Sequence, residues 1–290
     1  MNMQRLTAAL AGLCFLFASS VAVANYCGSI VVGGGAGSCS ISAPAEAQAA
    51  GLHTQTFCDS FQYTTLSFID FDTANSLTWN DALWYEGHNA LSSYGLNNPG
   101  LTLFANSGNG DTYLSTMFHD TSGGQFFTPP FYAEATLNCT DWCSFWFLSV
   151  AHARGQSVNG TPSTYSAEID VIEGDPAAAT IAFQTLHRNS GGGAPGDVQT
   201  DCFGGGGAGS ATMANGGKTQ GQVHTYGVLA TSTNVFFYVD HSLQCTVTAY
   251  DSTQQAYFMV LGANHGGVNG GANVGTAQTN FTLAAIWQGP

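Results

Sequence analysis

Three acidic residues lie within six positions of a chain that carries few charges. They are Glu168, Asp170 and Glu173, and only 8% of all residues are charged. Ile169 and Val171 alternate with the acids, which is the periodicity of a β-strand that places its acids on one face. Glu173 has the opposite parity, so we predict a β-bulge near Val171 that returns Glu173 to the acidic face.

A pair of glutamates on one face of a strand can cleave a glycosidic bond. Glu168 and Glu173 are separated by about four strand intervals, or roughly 13 Å between Cα atoms at ~3.3 Å each. Side chains that lean toward each other would bring the carboxyl groups to the ~5–5.5 Å of a retaining glycosidase. One glutamate would attack the anomeric carbon as an anion, and the other would protonate the leaving oxygen. Asp170 could hydrogen-bond the nucleophile and raise the pKa values of its neighbours.

Two other interpretations of the acidic segment stay open from the residues alone. A solvated acidic strand usually carries lysines as well, and none occurs near Glu168. A calcium loop alternates its oxygen ligands with glycine and asparagine, whereas these acids alternate with isoleucine and valine. The residues therefore favour catalysis.

Short aromatic and β-branched runs, separated by turn residues, continue along most of the chain. They include 101–104, 131–137, 144–149, 180–185, 234–239, 257–261 and 280–286. No long segment has the 3.6-residue period of a helix. The pattern predicts an all-β fold, an antiparallel β-sandwich of the jelly-roll type.

The N-terminus has the features of a secretory signal peptide. Arg5 precedes the apolar run 6–17, and the small residues at 22–24 offer a cleavage site. The apolar run is shorter than the roughly 20 residues that a membrane-spanning helix needs. We therefore expect a secreted protein that does not insert into a membrane. Its predicted parts are a signal peptide (1–24), a Gly-, Ala- and Ser-rich segment (25–56) and a catalytic domain (57–290).

Seven cysteines follow the predicted cleavage site, at positions 27, 39, 58, 139, 143, 202 and 245. In an exported protein they predict disulfides, with one cysteine left over. We expect disulfides through Cys27 and Cys39 to hold the N-terminal segment, although the sequence does not determine which cysteines pair. A zinc site is disfavoured, because Cys139 and Cys143 have no second pair at the spacing of a zinc finger.

The mature chain would be strongly acidic and almost without basic residues. Without Arg5 it has three basic and 18 acidic residues, a net charge of −15 (3 − 18) with neutral histidines. Nucleic-acid binding needs a basic patch, which three basic residues do not provide. A sulfated or uronate polymer is disfavoured for the same reason. We expect a neutral glycan that is held by aromatic rings and hydrogen bonds.

At the acidic segment the chain resembles glycoside hydrolase family sixteen, the group of laminarinases, lichenases, agarases and carrageenases. The family signature Glu-x-Asp-x-x-Glu corresponds to Glu168, Asp170 and Glu173. Other segments are similar to the family in the same order, at 131–137, 141–148, 186–187, 223–227 and 237–240. The resemblance runs from Cys58 to Trp287 and implies a concanavalin A-like jelly roll.

The resemblance also implies a role for each acid. Glu168 would be the nucleophile, Asp170 the assisting residue and Glu173 the acid/base of an endo-acting hydrolase. The expected substrate is a neutral β-glucan with β-1,3 or mixed β-1,3/1,4 linkages, and a neutral galactan comes second. A non-catalytic lectin and a cell-wall transglycosylase on the same fold are the alternatives. We expect a monomer whose partner is the polysaccharide, with no catalytic cofactor and no metal in the site; a structural calcium ion lacks support from the sequence.

Neighbouring strands suggest further contacts with the substrate, from Trp142, Glu134, His187 and Trp146. A core position for Trp146, a structural role for His187 and a surface position for Glu134 stay open from the residues alone. Cys143 replaces a proline of the family, which suggests a disulfide with Cys139.

Overall fold

A computed structural model places the described residues in two β-sheets. It describes residues 39–71, 78–97, 99–139, 142–154, 165–174, 182–190, 198–202, 222–248, 255–265 and 276–289. Only the backbone is described for residues 165, 166, 182, 183, 188–190 and 198–201. Two short helices, α1 (Ala45–Ala49) and α2 (Val150–Ala153), and a 3-10 turn at Leu91–Ser93 accompany the sheets. None of the helices in these ranges has the length and apolar character to cross a membrane.

Sixteen strands follow one another along the described chain. They are β1 (Thr54–Asp59), β2 (Ile69–Asp70), β3 (Trp79–Asp81), β4 (Tyr94–Leu96), β5 (Leu101–Asn106), β6 (Thr112–Ser115), β7 (Phe131–Cys139), β8 (Cys143–Ser149), β9 (Tyr165–Gly174), β10 (Ala182–Ser190), β11 (Val198–Asp201), β12 (Val223–Ala230), β13 (Asn234–Val239), β14 (Ser242–Thr248), β15 (Tyr257–Ala263) and β16 (Thr276–Gln288).

Each sheet contains eight strands. The first sheet has the order β14-β13-β12-β7-β16-β5-β4, and β1 pairs with β16. The second sheet has the order β11-β10-β9-β8-β15-β6-β3-β2. Every pairing is antiparallel except the short one between β2 and β3. The predicted all-β antiparallel sandwich is therefore confirmed.

The largest apolar cluster lies between the two sheets. Strand β8 shows how the alternation of the chain produces it, since Cys143, Phe145 and Phe147 join this core. Trp146 and Leu148, at the intervening positions, belong to a second cluster on the outer face of the second sheet. A β-strand sends successive side chains to opposite faces, so one strand serves both clusters.

A third cluster covers the outer face of the first sheet, where the N-terminal segment packs. Ala47 of α1 and Leu52 are buried there against Tyr132 and Trp287. Strand β1 begins at Thr54, so the first strand of the sandwich crosses the predicted boundary at residue 56.

Three disulfides stabilise the described chain. Cys39 pairs with Cys58 of β1, so a disulfide through Cys39 attaches the N-terminal segment to the first sheet, as expected; Cys27, the other cysteine expected to hold this segment, lies outside the described residues. The disulfide between Cys139 and Cys143 closes the connection from β7 to β8 and confirms the expected pair. The third joins Cys202, after β11 in the second sheet, to Cys245 of β14 in the first.

Candidate functional site

Strand β9 contains the bulge that the parity of its acids predicts. Against β8, Glu168 pairs with Leu148, Asp170 with Trp146, and Glu173 with Ser144. Three steps from Asp170 to Glu173 therefore face two steps on β8, and the same mismatch occurs against β10. The extra residue on β9 restores Glu173 to the face of the other two acids.

Burial follows this register. Ile169 is 1% exposed, and Val171 and Ile172 are both fully buried in the core between the sheets. Two consecutive residues face the same core because the bulge lies at this point. Glu168 and Glu173 are partly exposed, whereas Asp170 between them is 2% exposed. We call the outer face of the second sheet that carries Glu168, Asp170 and Glu173 the acid face.

His187 contacts the middle acid. It lies opposite Glu168 on the neighbouring strand β10, and its Nε2 is 3.0 Å from Oδ2 of Asp170. The imidazole is mostly buried, with 13% of its side chain exposed. His187 therefore belongs to the site, and its contact with Asp170 makes it a positioning partner of that carboxylate.

Trp146 of β8 and Trp142, which precedes β8, lie in different environments, one on the acid face and the other in the core between the sheets. Trp146 is partly exposed on the acid face, opposite Asp170, with its ring 6.4 Å from that of Tyr113. Trp142 is 5% exposed and packs in the core between the sheets. The expectation that Trp142 contacts the substrate is wrong, because this residue precedes β8 and does not continue the alternation of the strand.

Glu134 lies in the other sheet, so the expectation that it contacts the substrate beside Glu168 is wrong. It is a residue of β7 on the outer face of the first sheet, where the Oη of Tyr132 is 3.1 Å from its Oε2. Tyr132 Oη also lies 2.7 Å from Oε1 of Glu46, and His241 Nδ1 lies 2.8 Å from the same oxygen. Burial raises the pKa of Glu134. The cluster attaches the N-terminal segment to the first sheet.

The two carboxylates and the imidazole of this cluster have the chemistry of cation ligands. Ligand atoms of Glu46, Glu134 and His241 lie within 4.8 Å of one another among the described residues. Hydrogen bonds within the cluster already engage these atoms. The cluster lies on the outer face of the first sheet and is not part of the acid face.

A loop after β3 brings aromatic residues to the acid face, although no periodicity in this part of the chain predicts it. Trp84 packs edge-on against Phe258 of β15, with ring centroids 5.8 Å apart, and Tyr85 packs edge-on against Trp84. Tyr85 is 66% exposed. Desolvation and the charges of Glu86, Glu168 and Asp111 raise the pKa of Tyr85 to about 12. Tyr85 is therefore an exposed ring near enough to Glu168 for that carboxylate to raise its pKa, and its face is available for a sugar residue to stack on.

The loop is fixed at both ends by a buried carboxylate. Asp81, the last residue of β3, is fully buried. Its two oxygens lie 2.7 Å from Nδ1 of His88 and 2.7 Å from the backbone nitrogen of Asn89. The ring of His88 stacks on that of His119, whose Nε2 lies 2.7 Å from the carbonyl oxygen of Glu86.

A chain of hydrogen bonds lies beside Glu173. Ser144, opposite Glu173, donates to Oδ1 of Asn264 over 3.2 Å, and Asn264 donates to the hydroxyl of Tyr113. Tyr113 in turn donates to Asp111 over 3.5 Å. Burial, together with the charges of Asp111, Glu86, Tyr85 and Glu173, raises the pKa of Tyr113 well above its ordinary value of 10.

Glu86 also lies in this acidic environment. Burial raises the pKa of Glu86, and the charge of Asp111 adds to the shift. A hydrogen bond from the backbone of Leu83 and the charge of His119 act in the opposite direction. Glu86 and Asp111 therefore add two carboxyl groups to the surroundings of the three acids of β9.

The fold is similar to those of solved carbohydrate-active enzymes. The catalytic domain of a laminarinase from Thermotoga maritima superposes with a TM-score of 0.56 and 14% identity, covering 82% of this chain and 98% of that one. A laminarinase from Flavobacterium sp. UMI-01 gives 0.55 and 18%, covering 81% and 100%. A GlcNAcα1-4Gal-releasing endo-β-galactosidase from Clostridium perfringens gives 0.57 and 15%, covering 82% and 63%.

No protein-family model and no curated protein sequence matches the chain. At identities of 14–18% the structural similarity concerns the fold. The jelly roll implied by the resemblance to glycoside hydrolase family sixteen is thereby confirmed, since this chain has the fold of laminarinase catalytic domains.

Proposed function

We propose that the protein is a secreted, endo-acting glycoside hydrolase that cleaves a neutral β-glucan with retention of configuration. One observation carries the proposal. The bulge in β9 presents two partly exposed glutamates on one face, with a buried aspartate between them. Paired carboxylates on one strand face provide the nucleophile and the acid that retaining glycosidases need.

The reaction assigns one step to each acid. Glu168, ionised, attacks the anomeric carbon while Glu173 gives its proton to the leaving glycosidic oxygen. Glu173 then takes a proton from water, which attacks the glycosyl ester and releases Glu168. Asp170, held by His187 at 3.0 Å, keeps the nucleophile oriented. The chemistry needs no cofactor.

The charge of the site supports a neutral substrate. Glu86 and Asp111 add to the three acids of β9, and the complete chain has only four lysines and arginines. Such a face repels a polyanion and offers it no ion pairs. Tyr85 and Trp146 supply exposed or partly exposed rings, on which the faces of sugar residues can stack.

A β-1,3- or mixed β-1,3/1,4-glucan is the preferred substrate class, because laminarinases are among the structural neighbours. A neutral galactan comes second, in keeping with the endo-β-galactosidase. The three disulfides suit an oxidising compartment and support secretion. The proposed enzyme acts as a monomer.

A substrate panel tests the proposal. The purified protein should release reducing ends from laminarin or lichenan. Glu168→Gln and Glu173→Gln should each lower kcat by about 10²- to 10⁴-fold while binding persists, because each removes one proton-transfer or nucleophilic group. Glu46→Gln, the same substitution on the outer face of the first sheet, serves as a matched control and should leave kcat unchanged. Binding of the polysaccharide without release of reducing ends would identify a lectin. Longer products without a net gain of reducing ends would identify a transglycosylase. An active Glu168→Gln variant would refute the mechanism.

A further inference from the structure

Gln184 is a polar side chain in the core, directly opposite the bulge of β9. It is 1% exposed. On β10 it lies between Phe183, the backbone partner of Glu173, and Thr185, the partner of Asp170. A carboxamide in this position costs free energy unless its groups are hydrogen-bonded.

The carboxamide nitrogen reaches main-chain carbonyls on two other strands. Nε2 of Gln184 donates to the carbonyl oxygen of Val171 over 3.1 Å, and the carbonyl oxygen of Tyr238 lies 3.5 Å away. Val171 belongs to the bulge, and the register between β13 and β14 shifts at Tyr238. A bulge interrupts the ladder of main-chain hydrogen bonds, so a buried carbonyl there needs a donor from outside the ladder.

We propose that Gln184 is a positioning residue that holds the bulge and thereby directs Glu173 to the acid face. Its side chain points into the core and acts through the backbone between Val171 and Glu173. Without the bulge, the parity of the strand would turn Glu173 toward the core. The catalytic readout of this inference rests on the function proposed above.

A variant of equal length separates this role from simple packing. Gln184→Met removes the donor and keeps an unbranched side chain. We expect kcat/KM on the β-glucan to fall by about 100-fold, the typical cost of a displacement of ~1 Å at a catalytic group. On an aryl glycoside of the same oligosaccharide with a good leaving group, kcat/KM should fall by less than about fivefold, since that leaving group needs little help from an acid.

The disulfide beside Gln184 provides a matched control. Cys202 donates its backbone N–H to the carbonyl oxygen of Gln184 over 3.0 Å, and its disulfide with Cys245 joins the same two sheets. The double variant Cys202→Ala/Cys245→Ala loosens this connection and leaves the donor of Gln184 to Val171 in place; alanine is used because Sγ of Cys202 lies 3.8 Å from Oε1 of Gln184, where a serine hydroxyl would bond to the carboxamide. The double variant should lower Tm and leave the ratio of the two kcat/KM values as in the wild type.

Two outcomes would overturn the inference. One is a Gln184→Met variant in which kcat/KM falls equally on both substrates, or in which Tm falls while the ratio of the two kcat/KM values stays as in the wild type. Gln184 would then only hold the two sheets together. The other is a crystal structure of Gln184→Met in which the backbone from Val171 to Glu173 is unchanged. If the wild-type protein cleaves neither substrate, the proposed function fails, whereas the crystal structure still decides the role of Gln184.

Discussion

Gly262 occupies a position on β15 where the packing beside Glu173 has no room for a side chain. It pairs with Ser144 of β8 on one side and with Tyr113 of β6 on the other. A Cβ at this position would clash with Oγ of Ser144 and would lie 2.8 Å from Cδ1 of Tyr113. Nonbonded carbon atoms pack at about 3.5–4.0 Å, so both neighbours must move in a Gly262→Ala variant.

The cost follows from what must move. Rotation of the Ser144 hydroxyl breaks its hydrogen bond to Asn264, a loss of about 0.5–1.5 kcal/mol. Overpacking against the ring of Tyr113 adds about 1–3 kcal/mol. We therefore expect Gly262→Ala to lower the free energy of unfolding by about 1.5–4.5 kcal/mol. At about 2–4 °C per kcal/mol, Tm should fall by roughly 3–18 °C in a calorimetric scan.

A double-mutant cycle tests the cause rather than the size of the effect. Ser144→Ala removes the Oγ that lies nearest to the new Cβ, although it also leaves Asn264 with one acceptor unpaired. Combined with Gly262→Ala, it should recover at least about 1 kcal/mol relative to additivity, because the two changes share one clash. Strictly additive effects, or a Gly262→Ala variant as stable as the wild type, would refute the packing argument.

Four further outcomes follow from the structure. Trp146→Ala should raise KM and lower Tm less than Trp142→Ala does, because the ring of Trp146 is only partly buried. Trp142→Ala should lower stability by about 3–5 kcal/mol because that ring is buried in the core; kinetics and calorimetry on both variants check this. Tyr85→Ala should raise KM, and Tyr85→Phe should restore it if the ring stacks on a sugar, as a titration with oligosaccharides would show. Partial burial lowers the pKa of His241, but its hydrogen bond to Glu46 and the nearby carboxylates raise that pKa overall. The protonated imidazole therefore stabilises the folded protein fully below pH 6.5, and this stabilisation is lost as pH rises through the raised pKa. His241→Ala should therefore lower Tm more below pH 6.5 than at alkaline pH, and an equal loss at both would contradict this assignment. At low salt, where the Debye length is about 30 Å at 0.01 M, laminarin should bind more tightly than carrageenan; the reverse order, weakening with salt, would reveal a local basic cluster.

The bulge could be predicted from the sequence because the conflict that produces it is local. Glu168, Asp170 and Glu173 cannot share a face of a regular strand, although all three are polar, and the aliphatic residues between them are favoured in the core. Both conditions apply within six residues, and a bulge of one residue satisfies both. The prediction needed no knowledge of which strands would lie beside β9.

Glu134 and Trp142 could not be placed in this way, because their surroundings depend on contacts across the sequence. Glu134 has the alternation of a strand residue, but its strand lies in the first sheet, where α1 and Tyr132 cover it. Trp142 has the parity of Ser144, but it lies before the strand begins and enters the core instead. Tyr85 belongs to a loop without periodicity, so its approach to Glu168 left no pattern in the sequence.

The acidity of the site has a consequence for its tyrosines that fits a neutral glycan. Desolvation and the charges of Glu86, Glu168 and Asp111 raise the pKa of Tyr85, and burial with nearby acids raises that of Tyr113. Phenols whose pKa values lie above 10 are protonated throughout the pH range in which the two glutamates can divide the roles of base and acid. The hydroxyl of Tyr113 already donates to Asp111, so the exposed Tyr85 is the phenol that can donate to a sugar oxygen of the proposed substrate. Carboxylates around this donor would repel a sulfate or uronate, which is a further reason to propose an uncharged polysaccharide.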